Sequence, residues 1–180
     1  MPSERSVSPL ARAAWLCGLA AAMLAAPALP QPVGEPELKA AFVYNFAVFT
    51  EWPREALAPG MPLLLCASPD NAMLGALGQL RDKLVNGHRI ALRPALAPVS
   101  ACHVLVLTGA DRERWARLKH ELAGAAVLTV SDDMVISADG AVIGLSDDER
   151  RIGFDVDLGA ARLARLVLSS KLLRLARSVQ

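Results

Sequence analysis

From Leu63 to Val130 the chain repeats one pattern: a short continuous apolar run, a break of small or polar residues, then apolar residues at helical spacing. Leu63–Ala67, His103–Leu107 and Ala126–Val130 are the runs, and their length and Val/Leu content predict strands buried on both faces. Ser68-Pro69-Asp70 reads as a helix start, with Ser as cap and Pro at the first position. Met73, Leu74, Leu77, Leu80 and Leu84 would form that helix's stripe, and Asn86-Gly87 would end it in a left-handed conformation. Arg89–Leu92 reads as a brief strand before a Pro-broken connection. Asp111–Leu122 predicts a helix with Trp115, Leu118 and Leu122 inward, closed by Gly124. Strands alternating with helices in this way imply a parallel sheet covered on both faces.

The two ends differ. Upstream, Leu38, Ala41, Phe42, Asn45 and Phe49 fall at helical spacing after Pro36, and Pro53 is the expected stop. Downstream, Ala141–Leu145 and Arg151–Asp157 flank Ser146-Asp147-Asp148-Glu149-Arg150, and Ile152, Phe154 and Val156 alternate onto one face. An antiparallel hairpin at the sheet's edge is expected there. Two helical segments follow, Ala160–Leu168 and Lys171–Arg177, with Ser169-Ser170 as the cap between them. The fold class expected is α/β: a mostly parallel sheet with helices on both faces and a C-terminal hairpin plus helices, as one domain over 37–180.

The first residues read as a targeting segment. Arg5 and Arg12 precede an apolar run from Ala13 to Ala26, and Ala26-Pro27-Ala28 offers small residues for a signal peptidase. The run is about 14 residues, short of the roughly 20 that span a bilayer. A retained anchor is the plainer alternative. Cys17 lies mid-run behind Ala14-Trp15-Leu16, which argues against lipidation, and the arginines are not adjacent, which argues against a twin-arginine route. Residues 1–28 are thus expected to be a cleavable signal peptide and 29–36 a flexible Pro/Gly tether, which places the domain in the periplasm.

Removing that leader changes the electrostatics. The whole chain carries 19 basic and 18 acidic residues; the leader holds Arg5, Arg12 and Glu4, so the remainder is neutral. A neutral domain lacks the electrostatic footprint of a nucleic-acid or anionic-membrane binder. Cys66 and Cys102 remain as a pair, which an oxidising compartment favours joining. Closing a loop of about 37 residues would add about 4 kcal/mol in the chain-entropy account. The alternative is that both are small buried hydrophobes.

Motifs for catalysis are missing. His88, His103 and His120 have no ligand spacing between them, so no metal or other cofactor is expected. Cys102 and His103 are neighbours on a strand and face opposite ways, which favours a structural histidine. No nucleotide loop or nucleophile elbow occurs, and an enzyme is not expected. Ser131-Asp132-Asp133 follows a predicted parallel strand, where α/β sheets bind ligands; Ser68 stands at the equivalent place after an earlier strand. A solvated, helix-capping loop is the competing reading of the acidic pair. Asp147-Asp148-Glu149 reads as a solvated turn. The densest unusual feature is aromatic: Phe42, Tyr44, Phe46, Phe49 and Trp52 within eleven residues. Phe42, Phe49 and Trp52 could share a helical face. Such a helix is either buried all round or carries a contact surface.

Lys39-Ala40-Ala41-Phe42-Val43-Tyr44-Asn45-Phe46, then Phe49 and Glu51-Trp52-Pro53, resembles the opening signature of the YfiR-like family of periplasmic proteins. The similarity continues through Cys102-His103-Val104-Leu105 and Leu128-Thr129-Val130-Ser131-Asp132. It closes with Ser169-Ser170-Lys171-Leu172-Leu173-Arg174-Leu175-Ala176-Arg177, and so spans Glu37 to Val179. The resemblance implies a regulator that holds an inner-membrane diguanylate cyclase inactive through its periplasmic sensor portion, with an outer-membrane lipoprotein relieving the repression. It implies dimerisation and a family disulfide at Cys66–Cys102. The chain departs from the family in lacking a second cysteine pair near 134–145 and in having Asp139-Gly140 where a Gly-Gly turn is common. A rival reading is a periplasmic small-molecule module feeding a membrane sensor, with Ser68, Ser131 and Asp132 at its ligand.

Overall fold

The computed structural model describes residues 33–95, 98–148 and 151–180. The expected signal peptide and residues 29–32 of the expected tether lie outside the described residues, and the tether's last two residues, Glu35 and Pro36, already belong to a helix. Helix α1 spans Glu35–Val48. Pro36 sits in its first turn, where the missing N–H costs nothing, and Glu35 and Glu37 complement the helix dipole. The expected continuation toward Pro53 does not occur. Phe49 caps the helix, and Thr50–Glu51 forms a short strand, β1. It pairs antiparallel with β9, Val167–Leu168, a segment the sequence pattern had placed in a helix.

Strands β2 (Leu63–Ala67), β5 (Val104–Leu107), β6 (Leu128–Ser131) and β7 (Ile143–Asp148) run parallel in that spatial order, and β4 (His88–Pro94) flanks β2 on the other side. The parallel order β4-β2-β5-β6-β7 is the 2-1-3-4-5 arrangement of doubly wound folds. It puts the reversal of winding between β2 and β5. Antiparallel strands flank this core: β3 (Leu84–Val85) beside β4, and β8 (Arg151–Val156) beside β7. The hairpin is not the edge that was expected, because β10 (Ser178–Val179) adds outside β8.

The stripe from Met73 to Leu84 was expected to be one helix. It is divided. Helix α2 covers Leu74–Gly78 only, and Leu84 belongs to β3. Asn86 and Gly87 have φ of 50° and 90°, and they form the two-residue turn that joins β3 to β4. Positive φ at both central positions matches the right-handed twist of the flanking strands. Ser68 was expected to cap this helix and makes no cap hydrogen bond.

The alternation along each strand divides the interior in two. Val104 and Val106 of β5 and Leu128 and Val130 of β6 face a cluster built on Val43, Phe46 and Ala47 of α1. That cluster continues into Leu77 of α2 and Phe154 and Val156 of β8. Leu105 and Leu107 face the other way, against Trp115 and Leu118 of α3 (Arg112–Glu121) and Ile136 of α4 (Met134–Ala138). Helices α5 (Leu158–Leu163) and α6 (Ser170–Leu173) are shorter than the pattern implied. Ser169 caps α6, accepting from the Lys171 N–H at 3.2 Å, as expected. The result is the α/β class read from the sequence. Among the described residues no helix is long and apolar enough to cross a membrane.

Candidate functional site

The cysteines are joined: Cys66 of β2 and Cys102 before β5 form a disulfide with Cα atoms 6.0 Å apart. Both are buried on the α3 side of the sheet. Because β2 and β5 are hydrogen-bonded neighbours, the bridge locks the base of the point where the winding reverses.

His103 lies next in the chain and points to the opposite face. The Leu64 N–H donates to its Nδ1 at 2.9 Å, so the proton is carried on Nε2, which donates to the Ala56 carbonyl at 2.9 Å. Both ring nitrogens are satisfied by backbone, and burial pushes the imidazole's pKa below 6.5, with nearby His88 acting in the same direction. The Ala56 carbonyl, which favours the cation, only partly opposes this. A neutral, structural imidazole is the outcome.

The aromatic window is mostly scaffold. Phe46 is 1% exposed, and its ring packs against Phe154 with centroids 4.9 Å apart, while Phe42 lies 6.2 Å from Phe154. Tyr44 donates its hydroxyl to the Leu84 carbonyl at 2.9 Å, and the Lys83 ammonium sits 5.6 Å from its ring centroid. The Trp52 indole donates to the His103 carbonyl at 3.1 Å. Trp52 and Phe49 follow the end of α1, so the shared helical face with Phe42 does not form. Phe42, Tyr44, Phe49 and Trp52 keep part of their surface in solvent.

More exposed apolar side chains stand elsewhere, at positions that no sequence pattern marks. Leu163, Val167 and Leu175 in the C-terminal segment are 79%, 61% and 70% exposed, and Met134 and Val135 at the start of α4 are 81% and 57% exposed.

The strand-end residues form a polar rim. Asp132 accepts from Lys39 Nζ at 2.9 Å, which ties α1 to the loop after β6. Burial alone would lower the Lys39 ammonium's pKa; Glu35 and Asp132 outweigh it and the net shift is upward. Asp133 caps α4, accepting from the Val135 and Ile136 N–H groups at 3.0 and 3.1 Å. The Arg112 guanidinium beside it holds its carboxyl below the usual range. Ser131 accepts from the Asp133 N–H at 3.0 Å. Thr108 and Asp111 close a reciprocal capping box at the end of β5. Ser68 is buried, and its hydroxyl has no hydrogen-bond partner among the described residues. Ser131 and Asp132 are therefore brought together; Ser68 lies across β5 from them. Lys39 and Arg112 were missed as members of this rim, whereas Asp133 fits the helix-capping reading of the acidic pair. The Glu35/Lys39 spacing was visible, but the partner 93 residues away was not. Among the described residues no cluster of His, Cys, Asp and Glu is placed to hold a metal ion.

A solved structure, a conserved domain protein from Vibrio cholerae O1 biovar El Tor, is similar over 82% of this chain, with a TM-score of 0.52 and 12% identity. The match spans 61% of that protein's chain, and at this identity it speaks for the fold alone. No curated protein matches. A family model described as YfiR/HmsC-like covers residues 36–177. That family fits periplasmic regulators of cyclic-di-GMP signalling, and the disulfide fits an exported protein. From the start of α1 to the residue before β10, the match is continuous, and the chain belongs to the YfiR/HmsC-like family.

Proposed function

We propose that this protein is a non-catalytic periplasmic regulator that represses an inner-membrane diguanylate cyclase by contact with the cyclase's periplasmic sensor portion. The observation that carries this reading is the family match over 36–177. The surface best suited to the contact joins the half-exposed aromatics Phe42, Tyr44, Phe49 and Trp52 to the C-terminal segment with Leu163, Val167 and Leu175. The segments are linked physically: β1 pairs with β9, and the Phe49 carbonyl accepts the Ser169 N–H at 2.9 Å. Apolar side chains left in water on one segment are the usual anchors of a protein interface. An outer-membrane lipoprotein that competes for the same surface would relieve repression, and a homodimer would use part of it.

The test is a pull-down from solubilised membranes with the protein purified from periplasmic extracts. Recovery of a cyclase-bearing membrane protein, lost in a Leu163→Glu/Leu175→Glu variant that still folds, supports the reading. A folded Phe49→Ala/Leu163→Glu/Leu175→Glu variant that recovers the same protein undiminished sinks this choice of surface.

The small-molecule reading keeps one specific support. The unpartnered Ser68 hydroxyl lies at the reversal of winding, where doubly wound sheets bind ligands. Ser131 and Asp132 offer it less, since a backbone N–H and Lys39 already occupy them.

A further inference from the structure

An open groove of about 440 Å³ lies on the far side of β2 from the polar rim. It falls within the roughly 300–1,000 Å³ range of small-ligand sites. Its lining is Ala67 and Pro69 after β2, Leu74, Gly75, Gly78 and Arg81 from α2 and its exit, and Leu92, Arg93 and Pro94 of β4. Three properties of this lining point the same way.

First, its charge is one-sided. Arg81 and Arg93 are exposed, and among the described residues neither guanidinium has an ion-pair or hydrogen-bond partner; no acidic side chain lines the groove. Arg112, Arg114, Arg165 and Arg177, by contrast, are ion-paired with Asp133, Asp111, Glu55 and Asp155.

Second, the backbone beside them is open. Ile90 turns its peptide groups away from β2, donating to the Lys83 carbonyl at 2.9 Å and accepting from the Asp82 N–H at 3.0 Å. Leu92, two residues on, faces the same edge. There β3 no longer runs, so the Leu92 N–H is presented to the groove without a strand to receive it. Pro94 follows, which suits an edge because it has no N–H to leave unpaired.

Third, the floor is kept clear. A Cβ at Gly75 or at Gly78 would meet nothing within 4 Å. Gly75 is exposed and Gly78 half-buried, so this open space is the side on which the groove meets solvent.

We infer that this groove binds a small soluble carboxylate with an aliphatic body. The head group would lie against the Arg81 guanidinium and the Leu92 N–H, with Arg93 adding positive charge from the other face of the strand, and the body on Leu74, Leu92 and the Gly75/Gly78 face. Guanidinium and backbone N–H donors match a carboxylate's two oxygens, and the apolar floor selects for the chain behind it. This site is independent of the partner surface proposed above.

The experiment titrates hexanoate, octanoate and decanoate, below their micellar concentrations, into protein purified from periplasmic extracts, read by calorimetry and amide shifts. Saturable binding is expected, with the Leu92 amide among the largest shifts. Arg81→Gln should weaken it roughly tenfold, the scale of a lost charge-assisted hydrogen bond, and Arg93→Gln less. Gly78→Leu should abolish binding while the thermal midpoint stays level or rises, so a lost signal is not a lost fold. Octylammonium should not bind. No saturable binding by any of the three acids overturns the assignment, as does octanoate binding that Gly78→Leu leaves intact. Arg81-dependent sedimentation with phosphatidylglycerol vesicles in the absence of octanoate binding would give the arginines to lipid headgroups, and also overturns it.

Discussion

Lys39 Nζ lies 2.9 Å from Asp132 Oδ2, joining the first helix to the loop after β6 across 93 residues of sequence. The two side chains are 11% and 18% exposed, whereas Glu35, the other partner of Lys39, is 54% exposed. Exposed pairs contribute little, while removing one partner of a sheltered pair strands a charge. Asp132→Asn is therefore expected to cost about 1–3 kcal/mol in urea unfolding and Glu35→Gln less than about 0.5 kcal/mol. Equal losses would show that burial does not set the strength of this contact.

The neutral His103 makes stability depend on pH. Its folded-state pKa is lowered from 6.5 by burial, so the unfolded chain binds the proton more readily. The contribution is complete above about pH 6.5 and is lost as pH falls toward and through the lower folded value. Protonation also removes the acceptor that holds the Leu64 N–H. The thermal midpoint should fall between pH 7 and pH 5, and the slope should flatten in His103→Gln. The depressed carboxylates Asp133 and Asp155, held by Arg112 and Arg177, lose their contribution only below their ordinary 3.8, a separate and more acidic window.

Reducing the disulfide should be costly. Cys66 and Cys102 are 36 residues apart, for which the chain-entropy account gives about 4 kcal/mol. A large drop in the urea midpoint with dithiothreitol is expected, matched by Cys66→Ala/Cys102→Ala. A free-thiol assay on denatured, unreduced protein lacking the leader should read near zero.

Phe46 separates scaffold from surface. It is fully buried against Phe154, so Phe46→Ala should cost about 3–5 kcal/mol. Leu163→Ala, at 79% exposure, should stay within about 0.5 kcal/mol. Partner recovery should respond in the reverse sense once folding is controlled for by circular dichroism.

The strands buried on both faces were legible because every residue of such a strand is apolar, as in Val104–Leu107. The alternation of Ile152, Phe154 and Val156 was legible for the same kind of reason. What failed did so where a distant partner overrode a local period. Phe49 and Trp52 continue the spacing of α1, yet Thr50 and Glu51 pair with Leu168 and Val167, far along the chain. Leu84 continues the stripe of α2, yet the positive φ of Asn86 and Gly87 makes a hairpin. The Asn-Gly dipeptide is a strong hairpin signal in its own right, and the helical stripe before it masked it. The rim was half legible: Ser131 and Asp132 by position after a strand, Lys39 not at all.

The eight-stranded sheet ends in β3 and β10, each only two residues long. Short outer strands give a second copy little backbone to zip onto. Runaway strand-by-strand polymerisation is thereby blunted, and any lasting assembly of this protein has to be written in side chains, where single substitutions can dissolve it.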